Sequence, residues 1–570
     1  MNRRYFYLIP LLTVAIVGCA PTAPGRSSEG ADAGAAQPRT LRITARLEVS
    51  DLTGGGGNLK NEFVVRMFYA GLAARDANEN PYPVLAESLA QLNSDSWTVF
   101  PDGTMRTVYR LRPGLTWHDG APLTSEDFVF TLRAYRTMAE WGEVTQGREE
   151  LGTMRYVDSI DVLDPRTMTF HWKTTVPGAG YAPLWPRPRH LLERWLDLDD
   201  KDFFMSRDYW TTGLITAGPF RLAKWEKGAF IEAEAFSGFA LGRPKVDRII
   251  LTANSDVNVT VAQMLAGRVD MAVDRAIEFQ EIRSLKQAGW MDRMQGVFLL
   301  EPVQLRYIQI QARPDYVNPR TLLDVRARRA LLHAIDRPSI AEAMVEDRGA
   351  AAEVMIPNNV RYFPAIERAI TRYPFDVTRA EQLMAEAGYT KVGGIFTSPT
   401  EGRFNPEVSG VSEGQEAQDS TIINDYLKRA GFDAQLSLIP ASLREGGDEM
   451  KGTFPALTVN NNPMVPPALQ IDKFISRNAG SPATNWKGNN RPGWSHPDYD
   501  RLVDQHRTTL DPNEADALMV RMVTFMNEEL PLLPIYFNFD VVAHVGALRG
   551  PAGKPPFSTP YANIHEWEWK

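Results

Sequence analysis

The chain has 570 residues, 62 basic and 70 acidic side chains, a formal net charge of −8 and one cysteine. That length exceeds a single hydrophobic core and implies about two to four domains. An acid-leaning chain with no long basic run is not a nucleic-acid binder, and one cysteine leaves no internal disulfide to staple the fold.

Met1-Asn2-Arg3-Arg4 opens the chain, followed by an apolar run from Tyr5 to Val17 and then Gly18-Cys19-Ala20. A positive start, a short apolar stretch and a small residue before the cut are the marks of an export signal. The run is shorter than the ~20 apolar residues of a membrane span and is interrupted by Pro10 and Thr13. Ile16-Val17-Gly18-Cys19 resembles a bacterial lipobox. The resemblance implies a thioether lipid on Cys19, loss of residues 1–18, and export to a membrane-anchored position facing the periplasm or the cell exterior. Residues 19–39, rich in Pro, Gly, Ala and Ser, read as a flexible tether.

The body begins with a strand-like run, Thr40 to Ala45, and a helical one, Asn61 to Leu72. Thr124 caps a further helix, with Asp127 as an acidic variant of the capping box. Helices are expected over Val257 to Ala266, Asp324 to Ile335, Val377 to Ala387 and Ser420 to Ala430. Gly267, Gly388 and Gly431 stop three of them. Val269 to Val273 reads as a short strand. Asp498 to Thr508 and Asn513 to Asn527 form a late helical pair, before a strand at Ile535-Tyr536-Phe537. Alternating strands and helices indicate an α/β protein, and no period of ~20–50 residues suggests a solenoid.

Several stretches resemble, in order, the extracellular solute-binding proteins of the oligopeptide/dipeptide/nickel class (family 5). They are Pro83 to Leu89; Tyr109 to Asp127 with Trp117-His118-Asp119-Gly120; Gly218-Pro219-Phe220 to Trp225; Val325 to Arg337; Ala380 to Tyr389; and Tyr426 to Phe432. The resemblance implies a two-lobed periplasmic-binding-protein type II (cluster C) fold with an extra inserted subdomain. Lobe 1 would comprise 40–75, 207–300 and 526–570, the insert 76–206, and lobe 2 residues 301–525. Two hinge strands would cross near Leu300 and Pro531. It further implies a monomer that closes on a peptide or other small-molecule ligand and presents it to ABC importer permease subunits, without cofactor, metal or catalysis.

Candidate ligand contacts follow from loops at strand ends. Gly54 to Gly57, with Gly55, Gly56 and Asn58 as the contacts, would let backbone approach a ligand or form a plain loop. Thr458 to Pro467 carries Asn460, Asn461 and Asn462. The resemblance places there an aspartate that pairs a peptide amine in relatives. The neutral amides here favour a polar or sugar-like ligand, or merely an Asn-Pro turn. Trp486 and Trp494 would wall a pocket or pin their own loop. Gln304, Arg306 and Tyr307 follow the first crossover, where Arg306 would pair a ligand anion or a surface acid. A lipid-anchored sensor or co-receptor of the same fold is the alternative to transport. Gly410-Val411-Ser412-Glu413-Gly414 fits G-x-S-x-G, but Arg403 to Glu407, with Pro406, reads as a poor central strand for a hydrolase nucleophile. His118 beside Asp119 reads as part of a turn rather than a dyad.

Overall fold

The computed structural model describes residues 39–49, 52, 62–76, 80–142, 153–181, 184–445, 447–463, 467–552 and 561–570. Cys19, the tether before Arg39, Gly55, Gly56 and Asn58 lie outside the described residues, as do the side chains of Glu301, Val303 and Asn462.

One mixed sheet of ten strands organises the body. In chain order these are β1 (Thr40–Ala45), β2 (Phe220–Glu226), β3 (Phe230–Ala235), β4 (Arg248–Ala253), β5 (Met271–Ala272), β6 (Val297–Ile310), β7 (Glu407–Val411), β8 (Gln435–Ile439), β9 (Leu457–Pro463) and β10 (Leu532–His544). Across the sheet they run β8-β7-β9-β6-β10-β5-β1-β4-β3-β2. β1 lies parallel to β4 and β5, with Thr44 opposite both Thr252 and Ala272. β7 lies parallel to β8 and β9. Between these two parallel sets, β6 and β10 run antiparallel, from Val297 opposite His544 to Gln309 opposite Leu532.

The apolar side chains sort into cores on either side of the β6–β10 midpoint. Lobe 1 packs Leu41, Ile43, Phe63, Ile249, Met271, Trp290 and Trp567 with Val541, Val542 and Ala543 of β10. Alternation along β6 sends Ile308 and Ile310 to one face of the lobe 2 sheet and Leu305 and Tyr307 to the other. Ile308 joins Leu331, Leu383, Ile423 and Tyr536; Leu305 and Tyr307 join Phe474, Trp494, Tyr499 and Phe537. The inserted subdomain has its own core around Tyr109, Trp117, Phe128 and Trp172. Its four-stranded sheet orders Trp97–Val99, Met105–Arg110, Thr167–Trp172 and Val157–Asp164. Leu533, Ile535 and Tyr536 pack in lobe 2, so β10 serves both lobes rather than lobe 1 alone from residue 526 onward.

One expectation changes. The helix expected from Ser420 begins at Gly414 and runs to Ala430, with Glu413 as its cap. The stretch Arg403 to Glu407 enters the central sheet only at its last residue; the strand before Ser412 is β7, with Val408 fully buried. Pro406 precedes the first strand residue, where its missing N–H is not called on, and its carbonyl accepts from the Gln435 N–H at 3.0 Å.

Motif glycines mark close packing. A Cβ on Gly218 would stand 2.0 Å from the Phe68 carbonyl oxygen. A Cβ on Gly410 would stand 2.1 Å from the Ser420 hydroxyl, so the helix 414–430 lies directly on β7. His118 belongs to the same architecture. Its Nε2–H donates to Gly218 O at 3.1 Å and its N–H to Thr216 O at 2.9 Å. This ties the insert to the Gly218 segment, and burial pushes its pKa down to about 4. Asp119 bonds instead to His190 Nε2.

Candidate functional site: the crevice at the crossover strands

Register alone locates the site. β5 advances towards Ala272, and its antiparallel partner β10 is met at Ala543, so the carboxyl end of β5 aims at Asp540. β9 advances from Leu457 opposite Ile310 to Pro463 opposite Gln304, so its carboxyl end aims back at Pro302. Pro302 and Asp540 lie one register step apart, Pro302 opposite Phe539 and Glu301 opposite Asp540. The parallel sets of the two lobes therefore point their carboxyl ends at one place, the middle of the crossover strands. Open α/β sheets take ligands outside the carboxyl ends of their strands. Here two such ends face each other.

The floor of this crevice departs from regular sheet. β6 shifts register between Pro302 and Gln304, and proline inside a sheet belongs at such a bulge. Leu300 is 40% exposed although it lies on a central strand, because no core covers the midpoint. Asn538 and Asp540 turn their side-chain oxygens to the N–H groups of Phe539 and Val541, each at 3.1 Å. Asp540 also accepts from the Arg275 N–H; burial pushes its carboxyl up to about 6 against the pull of the Arg275 guanidinium. Asp274 and Arg275 both take left-handed backbone angles, φ 49° and 64°, at the end of β5, where a turn must redirect the chain.

On the lobe 2 side a hydrogen-bonded chain ties the crossover strands to the helix 414–430. Arg306 Nε donates to Asp419 Oδ2 at 2.7 Å, and the Tyr536 hydroxyl donates to Asp419 Oδ1 at 2.8 Å. Gln415 Nε2 donates to the Tyr536 hydroxyl, and Asn538 Nδ2 donates to Gln415 Oε1, both at 3.0 Å. The side chains of Arg306 and Asp419 are 4% and 1% exposed. This corrects the surface-pair reading of Arg306: its guanidinium meets a buried carboxylate 113 residues away.

The other candidates separate. Gln304 is partly exposed at the bulge, opposite Asn538. Tyr307 is 6% exposed, and its hydroxyl accepts from Gln309 Nε2 at 3.1 Å. Asn460 reaches Gln309 Oε1 at 3.4 Å and caps the Asn461 N–H at 2.9 Å. Asn461 stands opposite Arg306 and Asn462 opposite Leu305 in the β6–β9 register. Trp486 and Trp494 are buried inside lobe 2, as the loop-pinning reading expects. The Arg313 guanidinium covers Trp486 at 5.6 Å, and Trp494 packs on Tyr499 at 5.1 Å. Ser412 directly follows β7 and precedes a helix, and it is exposed. No histidine bonds it among the described residues; Gly410 and Gly414, φ 63°, serve the helix contact and the turn.

Sequence reasoning missed Asp419, Tyr536, Gln415, Asn538 and Asp540. Asp419 was detectable: it shares the buried stripe of Ile423 and Leu427 on its helix, and an acid on such a stripe demands a buried cation.

Comparison with known proteins agrees with this geometry. The family model "Bacterial extracellular solute-binding proteins, family 5 Middle" matches residues 80–480. The chain is 22% identical over 514 residues to the oligopeptide-binding protein AppA of Bacillus subtilis (strain 168), covering 88% of this chain and 86% of AppA. It is 22% identical over 478 residues to the dipeptide-binding protein of Escherichia coli (strain K12), covering 78% and 79%. The structure of HbpA2 from Haemophilus parasuis superposes with a TM-score of 0.73 at 19% identity, over 93% of this chain and all of that one. The architecture is thus a known one, and the chain belongs to family 5 of the bacterial extracellular solute-binding proteins.

Proposed function

We propose that the chain captures a peptide or another small polar solute between its lobes and presents the closed form to an ABC importer, held at the membrane by lipid on Cys19. The convergence of carboxyl strand ends from both lobes on the β6–β10 midpoint carries this reading. The likeness to an oligopeptide-binding and a dipeptide-binding protein supports a peptide. Asn460 and Asn461 at the end of β9 offer amides that both donate and accept, which suits peptide bonds, hydroxyls or neutral polar groups. The protein grips its ligand without changing a bond.

Two measurements test this. Small-angle scattering on the protein stripped of bound solute, then supplied with a pool of two- to six-residue peptides, is expected to show a smaller radius of gyration as the lobes close. A saturating peptide that leaves the radius unchanged rejects closure. Cys19→Ser is expected to move the protein from the membrane fraction to the soluble fraction of the producing cell. Retention on membranes rejects the lipid anchor.

A further inference from the structure

The ten-stranded sheet ends in two edges of opposite character. β2 carries Arg221, Lys224 and Glu226 at exposed positions. Arg221 pairs with Glu234 at 2.8 Å and Lys224 with Glu226 at 2.9 Å. Charges of this kind keep an edge from pairing with another chain. β8, at the other end, reads Gln435-Leu436-Ser437-Leu438-Ile439, and no charged residue occurs from Ala434 to Leu443. Leu436 is 38% and Leu438 37% exposed on this outermost strand.

Register fixes which groups this edge leaves free. β8 runs parallel to β7, with Leu436 opposite Val408 and Leu438 opposite Gly410. The Gln435 N–H donates to Pro406 O at 3.0 Å, and the Ile439 carbonyl accepts from the Ser412 N–H at 2.8 Å. Backbone groups alternate in direction along a strand. Gln435, Ser437 and Ile439 therefore turn theirs towards β7, while Leu436 and Leu438 turn theirs outward. Among the described residues nothing takes up those outward groups. The two leucine side chains share the face of Val408 and Gly410, so they lie beside the helix 414–430 that covers β7.

We propose that β8 is the docking edge for a second copy of this chain, paired antiparallel about a two-fold axis through Ser437. The monomer implied by the family resemblance then gives way to a weak dimer. Leu-Ser-Leu reads the same in both directions, so the axis sets Leu436 opposite Leu438 of the second copy. Each such pair exchanges two hydrogen bonds through the groups left outward. A charged edge would meet its own charge across the axis. β8 has none, and Asp433 falls opposite the uncharged Ala441 of the second copy. Pro440, without an N–H, ends the ladder. Strands about 4.8 Å apart place the two β7 strands, and the helices over them, about 14 Å apart. Directly packed helices lie at about 8–10 Å, and four leucines fill the difference. The contact closes at two copies, because the charged β2 edge does not match β8. The crossover strands β6 and β10 lie three and four strands inward, so the crevice of each copy stays clear.

Analytical ultracentrifugation of the full chain is expected to show a monomer–dimer equilibrium with a dissociation constant of about 1–100 μM, as for a small interface. Leu436→Lys with Leu438→Lys brings four ammonium groups together in the dimer. It should raise that constant about tenfold or more, with an unchanged melting temperature. Ser437→Cys, made with Cys19→Ser so that the chain has one thiol, gives a second readout. Across the axis the two Cα atoms of residue 437 form a non-hydrogen-bonded pair about 4.5 Å apart, within reach of a disulfide. Mild oxidation should therefore yield a covalent dimer. Gln435→Cys in the same background lies about 13 Å from its own counterpart and should stay uncrosslinked. The proposal is overturned by a wild-type chain that remains monomeric at about 100 μM, by a folded lysine variant that dimerises as well as wild type, or by equal crosslinking at positions 435 and 437. Hydrogen exchange identifies other occupants. Leu436 and Leu438 amides that slow with protein concentration support the dimer. Amides that slow only when lipid vesicles or a peptide pool are added give the edge to another partner and overturn it.

Discussion

Asp419→Ala should be among the most damaging single changes in lobe 2, lowering stability by about 3–5 kcal/mol. The substitution leaves the Arg306 guanidinium buried opposite nothing, since its Nε and Nη2 both reach Asp419 Oδ2, at 2.7 Å and 2.5 Å. It also removes the acceptor of the Tyr536 hydroxyl. Replacing both ions, Arg306→Met with Asp419→Leu, should recover most of the loss, because an apolar pair of similar volume avoids the desolvation of two charges. Urea unfolding followed by lobe 2 tryptophan fluorescence reads both effects. A loss below about 1 kcal/mol for Asp419→Ala would show that water reaches the pair, as at an exposed ion pair. The double variant has a second use. The network runs from Asp419 through Tyr536 and Gln415 to Asn538 at the cleft floor. A protein that regains stability but binds solute less tightly would show that these polar groups orient the floor as well as support it.

The second large effect is on acid stability. His118 is 8% exposed, and burial lowers its pKa from about 6.5 to about 4. Its folded value lies below its unfolded value, so protons favour the unfolded chain. The contribution is intact above pH 6.5 and is lost as the pH falls from 6.5 towards 4. Between pH 7 and pH 4.5 this one side chain should remove about 2–3 kcal/mol. His118→Gln keeps a hydrogen-bonding group without a titration, so the wild type should lose that much more than the variant over the same interval. Parallel urea midpoints for the two proteins would reject the assignment. The damage should appear first where His118 joins the insert to Thr216 and Gly218.

Local structure was legible in the sequence where one short segment contains its own cause. Thr124 and Asp127 form their capping box, the Asp127 carboxylate accepting from the Thr124 N–H at 2.8 Å. Gly267, Gly388 and Gly431 end their helices with φ of 66°, 90° and 102°. The overall architecture was legible through resemblance, because motifs such as Gly218-Pro219-Phe220 record contacts that tolerate no side chain. The cleft was less so. Arg306 and Asp419 lie 113 residues apart, and Tyr536 and Asp419 lie 117 apart. No local pattern pairs residues at such separations. For Trp486 and Trp494 the sequence left a pocket wall and a pinned loop open, because a Gly- and Asn-rich stretch also suits an open loop; here the glycines let the chain wrap tightly around the rings. A Cβ on Gly452 would fall 2.8 Å from the Trp486 ring and one on Gly480 2.4 Å from its carbonyl oxygen.

The two halves are joined through the interior of a continuous sheet, by β6 and β10, rather than by a surface strap. At the joint itself the two strands hold each other's peptide groups, since β9 meets β6 only from Gln304 onward and β5 meets β10 only at Ala543 and His544. Cuts in peripheral loops should leave the halves travelling as one particle, and the closure proposed above would amount to flexing a woven panel, not swinging on a cord.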